Sequence, residues 1–146
     1  MRVISLRGTL VAGLLAILLA ACSSSDDDRV QREQKYYFLE SLTQVEAGGR
    51  RLQSAELDQQ SLEAALGMLD QGLKLAFEVE REFLDQLDLR LGKNYQRYFI
   101  EGVENYRIGI EAGDEAQQRE GLRLLSQWAQ FWQAERGAIQ SRLNLD

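Results

Sequence analysis

From Asp28 onward the apolar residues recur at intervals of three and four, the spacing that lines one face of an α-helix. The first stripe, Val30, Tyr37, Phe38, Leu42, Val45 and Leu52, predicts a helix over 28–53 with a weak point at Gly48-Gly49. Asp26, Asp27 and Asp28 stand at its start, where carboxylates favour the positive end of the helix dipole. A second helix is predicted over 58–91, with Asp58 as cap, Leu57 and Leu62 placed for a hydrophobic staple, and Gly92 as stop. Its stripe is Leu62, Leu66, Leu69, Leu73, Ala76, Phe77, Phe83, Leu84, Leu87 and Leu91, with room for a break between Asp85 and Arg90. A third helix starts at Asn94 and turns Tyr95, Tyr98, Phe99, Gly102, Val103, Tyr106, Gly109 and Ile110 inward. Ala112-Gly113-Asp114 is a turn signal, and Asp114 with Gln117 has the spacing of a capping box that opens a fourth helix running to about Leu143. That helix carries Gly121, Leu125, Trp128, Trp132 and Ile139 inward.

Four amphipathic stripes joined by short polar connections predict an all-α protein, an antiparallel up-down four-helix bundle, with a three-helix arrangement plus a detached first helix as the alternative. No proline interrupts the chain, and after Cys22 the β-branched residues are only four Val, four Ile and one Thr, which agrees with helix throughout. The Gly113-Asp114 turn, with Leu122 and Leu125 after it, loosely resembles one tetratricopeptide hairpin. Gln118 stands where that repeat needs a small residue, and no second copy follows at its 34-residue period.

Composition narrows the chemistry. The 146 residues include no histidine and one cysteine, which removes Ser-His-Asp and Cys-His relays, His-ligated haem and the common zinc and di-iron ligand sets. An enzyme is therefore not expected, nor a cofactor or metal. A lone cysteine also leaves the fold without an internal disulfide, so packing must hold it together.

The start of the chain is informative in another way. Arg2 and Arg7 precede an unbroken apolar or small run over Leu10–Ala21, shorter than the roughly 20 residues that a spanning helix needs. Leu19-Ala20-Ala21-Cys22 closes the run and resembles the lipobox of bacterial lipoprotein precursors, with Ser23-Ser24-Ser25 following as in a lipoprotein tether. The resemblance covers residues 1–22 alone. It implies that 1–21 are a cleaved signal peptide, that Cys22 is acylated, that 22–27 are a short Ser/Asp tether, and that 28–146 are the helical domain. Several acyl chains at about 0.8 kcal/mol per buried methylene give stable anchoring to a bilayer. Ser23, in place of the Asp that favours inner-membrane retention in this family, implies the periplasmic face of the outer membrane, with the inner membrane as the alternative. Cleavage would remove Arg2 and Arg7 and leave a body more acidic than the whole chain's net −6, which opposes nucleic-acid binding.

Candidate sites in the body are few. Glu80 falls on the apolar face of a 58–91 helix, between Phe77 and Phe83, where a charge would need a partner; Arg97 and Arg136 are the internal choices. Glu78, Glu80 and Glu82, and the Glu101/Glu104 pair, fit a solvated acidic face. Gly102 and Gly109, seven apart, notch the third helix for close approach of a neighbour, or for a tyrosine-lined pocket. Leu124, Phe131 and Ala138 lie on a shoulder of the fourth helix, and Met68, Leu75 and Val79 on a shoulder of the second; left uncovered, they would form an apolar partner surface. The reading that follows is a membrane-anchored, non-catalytic adaptor or assembly factor for another envelope protein, pilotin-like in size and anchor only. A small-ligand or lipid-binding helical module and a structural envelope lipoprotein are the alternatives.

Overall fold

The computed structural model describes residues 9–54 and 58–144, with side chains from residue 26 onward. Among them the protein is all-helical, with no strand. The elements are α1 (Thr9–Leu52), α2 (Gln59–Phe77), a short α3 (Arg81–Leu87), α4 (Leu91–Asn94), a π-helical turn (Tyr95–Ile100), α5 (Glu101–Ala112) and α6 (Glu115–Arg142). From Leu91 to Ala112 the helical backbone is continuous, so α4, the π-turn and α5 form one long rod. The chain divides into two compact units, residues 1–33 and 34–146, and the second holds the core.

α1 begins at Thr9 rather than at Asp28, and its helical backbone includes residues 22–27. Cys22 and the rest of the Leu19–Cys22 motif have side chains outside the described residues, as has Leu57 of the expected staple. Within 34–146, α1 buries Gln34, Phe38, Ser41, Val45 and Gly48, a regular four-three-four-three spacing. Three of those five are polar or lack a side chain, which is why the apolar pattern alone traces a different line. Gly48 is a contact point and not a weak one: a Cβ there would come within 3.0 Å of Ala65 O and Leu69 Cδ2.

α2 starts where expected, because the Asp58 carboxylate accepts the Ser61 backbone N–H at 2.7 Å. It ends at Phe77, fourteen residues before the expected end at Leu91, and the chain turns through 78–80 before α3. The sequence marks this break only by the alternation Phe77-Glu78-Val79-Glu80, a period that one face of a helix does not carry.

The turn between α5 and α6 follows its signal. Gly113 adopts φ +67°, the Asp114 N–H reaches back to Gly109 O at 2.8 Å and the Gly113 N–H to Ile110 O at 3.2 Å, closing α5 with a Schellman motif. The Asp114 carboxylate meanwhile accepts the Ala116 and Gln117 N–H groups. Its own N–H is thus spent on α5, and the Gln117 side chain points instead toward Asn105. Along this hairpin Gly102 meets Leu124 and Leu125, Tyr106 meets Gly121 and Gly109 meets Gln118, so residue numbers fall on α6 as they rise on α5.

Phe38, Tyr95, Phe99, Trp128 and Trp132 pack as one aromatic cluster among α1, the π-turn and α6. Tyr95 lies at its centre, stacked on Phe99 at 5.0 Å and edge-on to Phe38 and Trp128. Its buried hydroxyl shares a 2.6 Å hydrogen bond with Ser41 Oγ, which donates to Phe38 O within α1 at 2.6 Å. Burial pushes the Tyr95 phenol well above its ordinary value, so it stays neutral.

Candidate functional site

The break after Phe77 leaves a carbonyl and an amide without helical partners, and one side chain supplies both. Buried Gln34 of α1 donates its Nε2–H to Glu78 O at 3.2 Å and accepts the Glu80 N–H on Oε1 at 2.6 Å. With the elbow held in this way, α3 folds against the start of the α4–α5 rod. Gly92 permits the approach, since a Cβ there would lie 2.5 Å from Asp85 Oδ1 and 3.0 Å from Arg81 Cγ.

Between the elbow and the rod lies a cleft of about 390 Å³. Buried Ala76, Leu84, Gly92, Tyr95 and Ile100 and half-buried Val79 line its inner part, and exposed Phe77, Arg81, Lys93, Gln96 and Arg97 its edge. Three cations and no carboxylate line it. Arg81 pairs with Asp85 at 3.2 Å, and Arg97 lies over the Tyr98 ring at 5.9 Å.

A second groove, of about 260 Å³, runs between α1 and α6 over the aromatic cluster and is lined by Leu42, Val45, Glu46, Phe99, Leu125, Trp128, Ala129 and Trp132. A third recess follows the 85–90 stretch to Arg142, whose guanidinium donates to Leu87 O. There the Arg90 N–H donates to Asp88 Oδ1 at 2.8 Å and holds that carboxyl below its usual range. The Arg90 guanidinium bonds Glu135 at 2.6 Å and covers the Phe131 ring, while Leu89 stands 87% exposed.

The residues singled out by sequence scatter. Leu124 is buried, not on an uncovered shoulder, because Gly102 lets α6 approach α5 closely enough to enclose it. Phe131 is half-buried against the core under Arg90, and Ala138 is exposed. Met68 and Leu75 are half-buried on α2; of the six, Val79 alone lines the elbow cleft. Glu80 is no polar core site: α2 has already ended, and its side chain is exposed at the start of α3 with no capping bond. Glu78, Glu82, Glu101 and Glu104 are also exposed. Gly102 and Gly109 are filled by Leu124, Leu125 and Gln118 of α6, which leaves no tyrosine-lined pocket over them.

Sequence reasoning misses Gln34 and the gathering of Arg81, Lys93 and Arg97, reads Gly92 as a helix stop where it is a contact point, and considers Arg97 only as a partner for Glu80. Lys93 and Arg97 are four apart on one helix, and Arg81 reaches the same place because the chain breaks at 78–80 and again at 88–90, the latter inside the break allowed between Asp85 and Arg90. Among the described residues no group of three or more His, Cys, Asp or Glu is placed to hold a metal ion, and no helix is long and apolar enough to cross a membrane. No protein family, curated protein or solved structure matches the chain.

Proposed function

We propose that the chain is a membrane-anchored periplasmic lipoprotein whose helical body is a non-catalytic adaptor or assembly factor for another envelope protein. In this reading Cys22 carries the acyl chains, residues 1–21 are removed, and Ser23 directs the product to the outer membrane. The body is an antiparallel up-down four-helix bundle. The pairing of α5 with α6, and of Gly48 and Gly72 with opposite ends of the α1–α2 contact, supports that arrangement.

The observation that carries the adaptor role is the pair of clefts with apolar inner walls that the body leaves open, features that mark recognition sites. The anchor rests on Leu19-Ala20-Ala21-Cys22. Metabolic labelling with an alkyne fatty acid should tag the protein and leave it in the membrane fraction, and Cys22→Ala should lose both. A Cys22→Ala protein that remains membrane-bound with unchanged mass overturns the anchor. Crosslinking in intact cells followed by mass spectrometry should recover one stoichiometric partner; none across several growth conditions overturns the adaptor. The tryptophan-lined groove between α1 and α6 favours a second reading, a small-ligand or lipid-binding module, in which native mass spectrometry after gentle extraction would find a retained ligand.

A further inference from the structure

We infer that the cleft at the α2–α3 elbow is where the partner docks, and that the docking segment is a peptide carrying a bulky apolar side chain flanked by carboxylates. The inference rests on the adaptor reading and adds the chemistry of the partner. Charge is the first argument. On a chain of net charge −6, one cleft gathers Arg81, Lys93 and Arg97 with no carboxylate in its lining. Arg81 already shares its charge with Asp85, whereas among the described residues neither Lys93 nor Arg97 has a carboxylate within ion-pair distance.

The second argument is shape. A volume of about 390 Å³ is at the small end for ligand sites and suits one or two large side chains. The apolar inner wall of Val79, Leu84, Tyr95 and Ile100 would receive them, and Phe77, 60% exposed at the edge, would be covered by the incoming chain. Cations around an apolar centre orient an acidic partner and reject a basic one. The walls are also pre-formed: Gln34 fixes the elbow, and Gly92 seats α3 against the rod, so little ordering is left to the moment of binding. The acidity of the rest of the body weighs against a nucleic acid as the occupant.

The test selects displayed random dodecapeptides on the full chain held in neutral-detergent micelles, and compares it with the Lys93→Glu/Arg97→Glu double variant. Both side chains are exposed, and circular dichroism verifies that the helices are retained. Enriched peptides should place Asp or Glu beside Phe, Leu or Trp, and should bind the double variant at least about tenfold more weakly. Phe77→Ser should weaken them as well, and peptides with Lys in place of the acids should regain binding to the double variant. No enrichment, enrichment without acids, or equal binding to the double variant overturns the inference. Binding of anionic phospholipid vesicles in a Lys93- and Arg97-dependent manner, with no peptide selected, would assign the cleft to a lipid surface instead and overturn it equally. A crosslinked partner whose capture ignores these substitutions removes the cleft and leaves the adaptor standing; absence of any partner in cells removes the adaptor itself.

Discussion

The α5–α6 hairpin and the α2–α3 elbow both bring helices into close contact, by opposite means. In the hairpin both helices keep their backbone ladders up to the turn, so contact is mainly a steric matter: Gly102, Gly109 and Gly121 remove the side chains that would keep the two apart, and Gln118 Nε2 adds one bond to Gly109 O at 3.0 Å. At the elbow the chain leaves the helix, Glu78 O and Glu80 N–H lose their partners, and a neutral amide from α1 replaces them. One region depends on what is missing from the sequence, the other on a single polar residue in an apolar interface. The cation-edged cleft belongs to the second, because the chain break there supplies its concavity.

The sharpest way to break the hairpin is to restore a side chain. Gly121→Val would put a Cβ about 2.7 Å from Tyr106 Cα, a contact with backbone that no rotamer relieves, and should cost about 3 kcal/mol in chemical denaturation. Gly137→Ala, on the same α6 but with nothing within 4 Å of the new methyl, should instead stabilise by roughly 0.5–1 kcal/mol. Equal effects at the two sites would show that the glycines act through helix propensity and not through approach.

At the elbow, Gln34→Leu keeps the volume nearly constant and removes both hydrogen bonds, leaving an amide and a carbonyl underserved. A loss of about 2 kcal/mol is expected, together with faster amide exchange at Glu80 than at the α5–α6 turn. Uniform exchange across the body would mean that the elbow is not held locally.

The contrast between the regions also explains what could be read in advance. Turn chemistry at Gly113-Asp114, the cap at Asp58 and the all-helical character follow from local rules, and the structure carries all of them. The buried line of α1 does not, because Gln34, Ser41 and Gly48 interrupt an apolar stripe and are explained only by partners 46, 54 and about 20 residues away. The same holds for the elbow cleft. A ten-position apolar stripe reads as one helix with room for a break at 85–90; the structure breaks there at 88–90, but the turn at 78–80 is marked only by a four-residue alternation that does not state that Arg81 will come toward Lys93 and Arg97. Leu124 departs from its expected shoulder for a related reason: whether a helix shoulder is covered depends on how close the neighbour comes, and Gly102 decides that.

A smaller effect is expected at Ser41 and Tyr95, where α1 meets the π-turn through one buried pair of hydroxyls. Ser41→Ala should cost about 1–2 kcal/mol, since it strands the Tyr95 hydroxyl among aromatic rings. Adding Tyr95→Phe should return part of that loss, and the double variant should be more stable than the sum of the singles by at least about 0.5 kcal/mol. Strict additivity would show that the two hydroxyls are not coupled, and that α1 is held to the π-turn by ring packing alone.

The smallest effect separates a charged support from a neutral one. The Ser61 N–H, donating to the Asp58 carboxylate, holds that carboxyl below its ordinary 3.8 in the folded chain. A depressed folded value means that the contribution to stability is present above the ordinary carboxylate value and is lost as pH falls through the lowered one. On acidification the first turn of α2 should therefore loosen, while the Gln34 bonds, which involve no titrating group, should persist at the other end of the same helix. In NMR the Ser61 amide should titrate with a midpoint below 3.8 and the Glu80 amide should show no step of the same midpoint. Asp58→Asn retains an acceptor oxygen and should flatten the Ser61 response; a Ser61 midpoint at or above the ordinary value would mean that the cap is not made, and that α2 depends on its elbow end alone.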